Sequence, residues 1–198
     1  GRIPDAYFQA VGSGTGAIAA WENAERLAAD GRFGENKMRI YASQNAPFTL
    51  MYDSWKAHSR ELVPISPEES RRKAEVILGK VLSNRKPPYS IAGGLFDVLE
   101  KSNGDMFKVS NDEIVYWVVQ YINLEGYDIF PASACAVASL KQAIDAGIVK
   151  RDETVMLNIT GGGLFNATKK GYVIKEPDLV LSPDLPAEEI IMAVDKLF

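Results

Sequence analysis

The sequence predicts an α/β fold, three layers deep, in which a mostly parallel sheet carries helices on both faces. Two observations lead there. Short apolar runs of strand length alternate with stretches of helical spacing, so successive strands are joined by crossovers. Two of those runs end directly in glycine clusters, AVGSGTG and NITGGG, as expected where strands of a parallel sheet give way to loops at their carboxyl ends.

The elements follow in order. Tyr7–Val11 is the first strand and runs straight into the first glycine segment. From Ala17 to about Ala29, Ile18, Trp21, Ala24, Leu27 and Ala28 fall near helical spacing, with Glu22, Glu25, Arg26 and Asp30 between them. DGRFGENK reads as a loop, Met38–Ser43 (MRIYAS) as a strand, and Pro47–Lys56 as helical. Ser66–Leu82 reads as a helix, because SPEES combines a capping serine, proline at the first helical position and acids in the first turn. NRKPPYS breaks the chain; a short helix, Gly94–Lys101, and a strand, DMFKVS, come next. A further helix opens at Ser110 or Asn111 and closes near Gly126. YDIFPASACAVASLKQAIDAG gives a short extended segment, a turn at Pro131 and a helix of small residues ending at Gly147. ETVMLNI is an apolar run of strand length, and after a proline-rich connection an amphipathic helix starts near Pro186. With no internal repeat or low-complexity linker, residues 1–198 are expected to form a single α/β domain.

Composition narrows the function. A chain of 198 residues with 46% hydrophobic content is long enough for a substantial core. The net charge of -4 and the absence of a dense Lys/Arg cluster make nucleic acid a poor partner. No apolar run reaches the roughly 18 residues of a membrane span, and no signal sequence opens the chain. The expectation is a cytoplasmic protein without a membrane partner. One cysteine, Cys135, allows no internal disulfide, and one histidine, His58, cannot build a His/Cys zinc cluster, so no metal is expected. Cys135 lies in ASACAVAS and reads as a buried packing thiol rather than a nucleophile served by His58. The N-x-T sequons at Asn158 and Asn166 matter only on a secreted chain. VYWVVQY has the helical spacing of core or domain-interface packing rather than of a nucleobase platform, and ESRRKAE that of a solvated face.

The chemistry sits in the glycine clusters. After a strand, the first N–H groups of a helix lack internal partners and face the positive end of its dipole, and glycines let an anion come close. A nucleoside triphosphate would need a Lys and a Ser or Thr where Ile18 and Ala19 stand. Gly12, Gly14 and Ala17 formally meet the dinucleotide fingerprint, but the next strand ends Ser43-Gln44, without the ribose-binding acid. A cofactor phosphate and a turn that serves only strand–helix packing both remain. NITGGG favours a pocket, because two loops at the carboxyl ends of parallel strands converge. There Ser13, Thr15 and the local N–H groups can grip a phosphate dianion, and the Thr160 hydroxyl can bond a heterocycle.

YFQAVGSGTGAIAAWE and EGYDIFPASACAVASLKQAIDAGIVKRDETVMLNITGGG, in this order, resemble the C-terminal part of threonine synthase-like enzymes of pyridoxal-phosphate fold type II. The resemblance covers roughly residues 5 to 165 and is nearest the cysteate synthase branch, known from methanogenic archaea. It implies that Gly12, Ser13, Gly14, Thr15 and Gly16 hold the phosphate of pyridoxal 5'-phosphate, and that Thr160 meets the pyridine nitrogen. A hydroxyl there, in place of an acid, implies a moderated electron sink. Pro131–Ala134 matches a glutamate-proline-alanine-serine segment at a helix start. It reads equally as a turn with a small-residue packing face.

Two departures from the family pattern matter. YSIAGG at 89–94 lacks the arginine and the Asn-Pro pair that threonine synthases carry, and TGGG stands for the more usual T-G-H-G. The resemblance therefore implies O-phospho-L-serine and sulfite as substrates, giving L-cysteate and phosphate on the way to coenzyme M. Threonine synthase acting on O-phosphohomoserine is the alternative, and a non-catalytic phosphate-binding module is an alternative of another class. Lys37, Lys101 and Lys108 lie in polar loop or strand-edge patterns. The Schiff-base lysine is therefore expected before residue 1, in a longer enzyme of which this chain is the C-terminal part, inactive by itself. Such a part exposes apolar surface, which is compatible with a homo-oligomer.

Overall fold

A computed structural model describes residues 1–173 and 175–198. The chain divides into two compact units, residues 1–163 and 164–198. Unit one holds, among the described residues, four strands: β1 (Ala6–Ala10), β2 (Arg39–Asn45), β3 (Asp105–Val109) and β4 (Val155–Leu157). They form one sheet in the order β3-β2-β1-β4, and every pairing is parallel. The predicted α/β class with a parallel sheet is the fold observed.

Side chains alternate across the sheet, and both faces are buried. Tyr7 and Val11 of the first strand and its exit, Ile40 and Ala42 of β2, and Met106 of β3 pack with α1 (Thr15–Asp30) and α4 (Leu95–Ser102) through Ala17, Ala24, Leu95, Val98 and Leu99. On the other face Ala6, Phe8, Tyr41 and Phe107 meet Ala143 of α6 (Pro131–Asp145). The Phe8 and Tyr41 rings stack at 4.7 Å between centroids. Ala132, Ala134, Ala136 and Ala138 are all buried, so the small residues of α6 are covered on more than one side, and α5 (Asn111–Glu125) lies beside it.

Local signals set most boundaries. Ser110 and Glu113 close a capping box at the start of α5, which ends at Gly126 with φ of 74°. Pro131 is the first residue of α6 rather than a turn ahead of it, since proline's missing N–H has no intrahelical acceptor at that position. Pro47–Lys56 yields a helix only from Leu50, α2 (Leu50–Lys56).

The expected helix Ser66–Leu82 is shorter in the structure. It begins as predicted, with Ser66 accepting from the Glu69 N–H, but α3 (Pro67–Val76) stops at Val76. Ile77 turns extended and is fully buried beside Phe48 and Leu50. Two side-chain amides then capture the backbone that a continuing helix would use. Asn111 accepts from the Leu78 N–H at 3.1 Å and donates to the Val76 carbonyl at 2.8 Å, and Asn45 accepts from the Gly79 N–H at 2.9 Å. Residues 80–82 form a separate 3-10 turn.

Unit two holds α7 (Leu164–Lys169), which the apolar periodicity does not signal, and α8 (Ala187–Asp195), capped by Pro186 with Glu188 and Glu189 in its first turn.

Candidate functional site

The first strand stays paired one residue beyond β1, the Val11 N–H donating to the Ser43 carbonyl at 2.9 Å. The chain then leaves the sheet through Gly12, Ser13 and Gly14. Gly12 lies so close to the 3-10 turn that a Cβ would stand 2.6 Å from the Val81 carbonyl oxygen. Gly14 is the N-cap of α1 with φ of 84°, a left-handed conformation that L side chains resist, and it contributes no capping side chain. The first intrahelical bond of α1 runs from the Ile18 N–H to the Gly14 carbonyl at 3.0 Å. The N–H groups of Gly16 and Ala17 therefore have no acceptor within the helix. No acidic residue occupies the first turn. Ser13 Oγ lies 2.9 Å from Thr15 Oγ1 and accepts from the Thr15 N–H at 3.3 Å. Two hydroxyls and free helical N–H groups thus gather at the positive end of a 16-residue helix.

The second glycine cluster follows β4. Because β4 pairs in parallel with β1, both clusters emerge at the same edge of the sheet. Thr160 is exposed, whereas Gly161 and Gly162 are clamped from outside. Ser133, in the first turn of α6, donates to the Gly161 carbonyl at 2.9 Å and accepts from the Gly161 N–H at 3.1 Å. The Phe130 N–H donates to the same carbonyl at 3.0 Å, and the Gly163 N–H donates to the Asp128 carbonyl at 2.8 Å. A Cβ at Gly162 would come within 2.3 Å of the Asp128 carbonyl oxygen. Thr160 opens onto a cleft of about 390 Å³ bounded by residues 78–81 and by Phe130–Ala132. Val81 touches Gly12 and also lines this cleft, so one short segment borders both loops.

A half-buried relay joins the loops beneath that edge. Asn158 donates from Nδ2 to the Tyr7 hydroxyl at 2.8 Å, Tyr7 donates to Gln9 Oε1 at 2.9 Å, and the Gln9 amide rests against Gly16. Burial raises the Tyr7 hydroxyl above its ordinary pKa, and the bond from Asn158 partly opposes it.

Gly12, Ser13, Gly14, Thr15 and Gly16 therefore share one sheet edge with Thr160. The residues fit a cofactor with a phosphate at one end and an aromatic nitrogen at the other. The loop offers donors with no opposing carboxylate, and Thr160 offers a neutral hydroxyl beside an apolar cleft. Sequence reading did not find the 78–82 segment, which carries no motif and arrives only through tertiary packing. It also missed the Tyr7–Gln9–Asn158 relay, whose signal was three polar groups on otherwise apolar strands.

Other residues lie apart. Cys135 is fully buried under Ser43, and burial pushes its thiol up to about 12. His58 is exposed after α2. Lys37, Lys101 and Lys108 are exposed. Lys80 borders the cleft, but its ammonium caps the Ala74 and Glu75 carbonyls at the end of α3. Among the described residues no group of three or more His, Cys, Asp or Glu is placed to hold a metal ion, and no helix is long and apolar enough to cross a membrane.

Residues 1–161 match the family model described as pyridoxal-phosphate dependent enzyme. The chain is 45% identical to the cysteate synthase of Methanosarcina acetivorans over 194 residues, covering 96% of this chain and 46% of that protein. It is 46% identical to the cysteate synthase of Methanocella paludicola, covering 98% of this chain and 46% of that one. The chain thus spans about half the length of the curated relatives it matches. Among solved structures, the processed form of threonine deaminase isoform 2 from Solanum lycopersicum shares the fold with a TM-score of 0.56 at 14% identity, over 85% of this chain and 41% of that one. With the family model covering most of its length and the alignments to its relatives covering nearly all of this chain, the chain belongs to the pyridoxal-phosphate dependent enzymes.

Proposed function

We propose that this chain is the C-terminal part of an enzyme that converts O-phospho-L-serine and sulfite to L-cysteate and phosphate. In this reading Gly12–Gly16 hold the cofactor phosphate and Thr160 meets the pyridine nitrogen. The observation that carries the choice of reaction is the 45% and 46% identity to two cysteate synthases over nearly the whole chain. The geometry supports it by setting an anion cup and a hydroxyl on neighbouring parallel strands.

The residues have separable tasks. The Gly16 and Ala17 N–H groups, with the Ser13 and Thr15 hydroxyls, bind the phosphate and fix the ligand's register. When bound, the cofactor ring supplies the electron withdrawal that elimination and addition at the substrate's β-carbon require. Thr160, a neutral hydroxyl, bonds the ring nitrogen without giving up its proton outright, which moderates that withdrawal. Leu78, Val81 and Phe130 give the cleft beside Thr160 an apolar wall. The lysine that binds the cofactor covalently is assigned to the part of the enzyme outside this chain, since Lys80 is committed to α3. The same part would cover the apolar side chains exposed on α5, among them Val115, Tyr116 and Val119.

The test is an assay of the enzyme containing this chain, with phosphoserine plus sulfite set against phosphohomoserine alone. Cysteate and phosphate are expected in equal amounts from the first mixture. Turnover of phosphohomoserine only would replace this reading with a threonine synthase, and cofactor binding without any turnover would replace it with a binding module.

A further inference from the structure

The serine that clamps the second glycine loop has one proton, and its geometry shows where that proton goes. Ser133 is 1% exposed. Its Oγ has three neighbours: the Gly161 carbonyl at 2.9 Å, the Gly161 N–H at 3.1 Å and Thr160 Oγ1 at 3.4 Å. A carbonyl only accepts, so the hydroxyl hydrogen of Ser133 is committed to Gly161. Toward Thr160 it presents lone-pair density alone. Thr160 is then the donor in that contact, and at 3.4 Å the contact is long for a bond between hydroxyls, whose usual separation is about 2.7–2.8 Å. The Thr160 proton is held weakly and is available to a better acceptor entering the cleft.

We infer that Ser133 is a positioning residue for the proposed cofactor site: by committing its proton to Gly161 it fixes the loop that carries Thr160 and leaves Thr160 a hydrogen-bond donor toward the ring nitrogen. This inference rests on the reading of Thr160 given above. Ser133 need not touch the ligand. Its effect passes through Gly161, whose backbone it grips at both the N–H and the carbonyl, one residue from the hydroxyl that meets the ring. The clamp accounts for a serine inside an otherwise alanine-rich helix start, where packing alone asks for no hydroxyl.

The test is nuclear magnetic resonance of the holoenzyme loaded with pyridoxal phosphate labelled with nitrogen-15 in its ring. The nitrogen resonance reports the bond at Thr160, and the phosphorus resonance reports the Gly12–Gly16 cup independently of activity. The wild type should show an unprotonated, hydrogen-bonded ring nitrogen. Ser133→Ala and Thr160→Val should both move the nitrogen line toward the position of a pyridine without a donor, Thr160→Ser should restore it, and the phosphorus line should stay in place throughout. A nitrogen line in Ser133→Ala that matches wild type, while Thr160→Val shifts, would overturn the inference and leave the site reading standing. If Ser133→Ala does not fold, Ser133→Cys keeps a heteroatom at the γ position as a weaker donor and acceptor; an intermediate shift supports the role and an unchanged line overturns it. A wild-type enzyme without a bound phosphorus signal would overturn the site reading, and this inference with it.

Discussion

Asn158 and Tyr7 are 151 residues apart in sequence and 2.8 Å apart in space, the amide of one donating to the hydroxyl of the other. The bond links the exit of β4, two residues before Thr160, to β1, five residues before Gly12. Tyr7 donates in turn to Gln9, which packs on the first turn of α1. The two loops are thus set in register by a polar chain beneath the sheet edge as well as by the ladder between their strands.

Tyr7→Phe keeps the buried ring and removes the hydroxyl, leaving Asn158 and Gln9 each short of a partner. A loss of about 1–2 kcal/mol in unfolding free energy is expected, read as a lower urea midpoint with an unchanged slope. Asn158→Ala should cost less when added to Tyr7→Phe than alone, because the two share one bond. Fully additive losses would show that the relay does not act as a unit.

The three glycines of the cup differ in what opposes a side chain, and the order of damage follows. At Gly12 a Cβ meets backbone, the Val81 carbonyl oxygen at 2.6 Å, so Gly12→Ala must displace the 78–82 segment that borders both loops. At Gly14 the neighbour is the Leu95 side chain at 3.0 Å, but φ of 84° costs an alanine about 1–2 kcal/mol. At Gly16 the neighbour is the end of the Gln9 side chain, which can swing aside. Titration with pyridoxal phosphate should rank the losses of affinity Gly12→Ala, then Gly14→Ala, then Gly16→Ala, with the first at least tenfold. Equal affinities across the three would remove the cup from this loop.

Asn45→Ala tests the device that ends α3. Asn45, itself fully buried, accepts from the Gly79 N–H and donates to the Val109 carbonyl at 3.2 Å and to Asn111 Oδ1 at 3.0 Å. Its loss should cost about 2–3 kcal/mol. Hydrogen exchange should show the Leu78 and Gly79 amides losing protection while the body of α5 keeps it. Protection retained at Gly79 would mean that something other than Asn45 shapes the segment.

Asn45 and Asn111 also mark where the sequence was legible and where it was not. The capping serine, proline and acids of SPEES announce the start of α3 locally, and its start is found at Pro67. Its end is set by amides on β2 and α5, 34 and 35 residues from the backbone they hold, and no local pattern encodes that. The same division runs through the site. Glycines after an apolar run mark both loops, because strand exit and backbone approach are local events. Ser133 was visible only as part of a small-residue motif, and its bond to Gly161 depends on where β4 delivers the second loop. Val81 carried no signal at all.

The buried thiol gives a prediction at alkaline pH. Cys135 is fully buried, and burial pushes it from an ordinary thiol value near 9 up to about 12. Its raised folded value means that the native state keeps the proton after the unfolded chain has released it. The associated stability is complete below pH 9 and falls as pH rises from there toward 12, by roughly 1.4 kcal/mol for each unit. Tyr7, Tyr41 and Tyr89, also raised by burial, act in the same direction but only above about pH 10. The interval from pH 9 to 10 therefore isolates the cysteine. Denaturant unfolding of wild type and Cys135→Ala at pH 8, 9 and 10 should show the wild type losing about 1 kcal/mol more than the variant across the last step. Parallel losses would mean that the thiol ionises alike in both states and that α6 does not seal it from water.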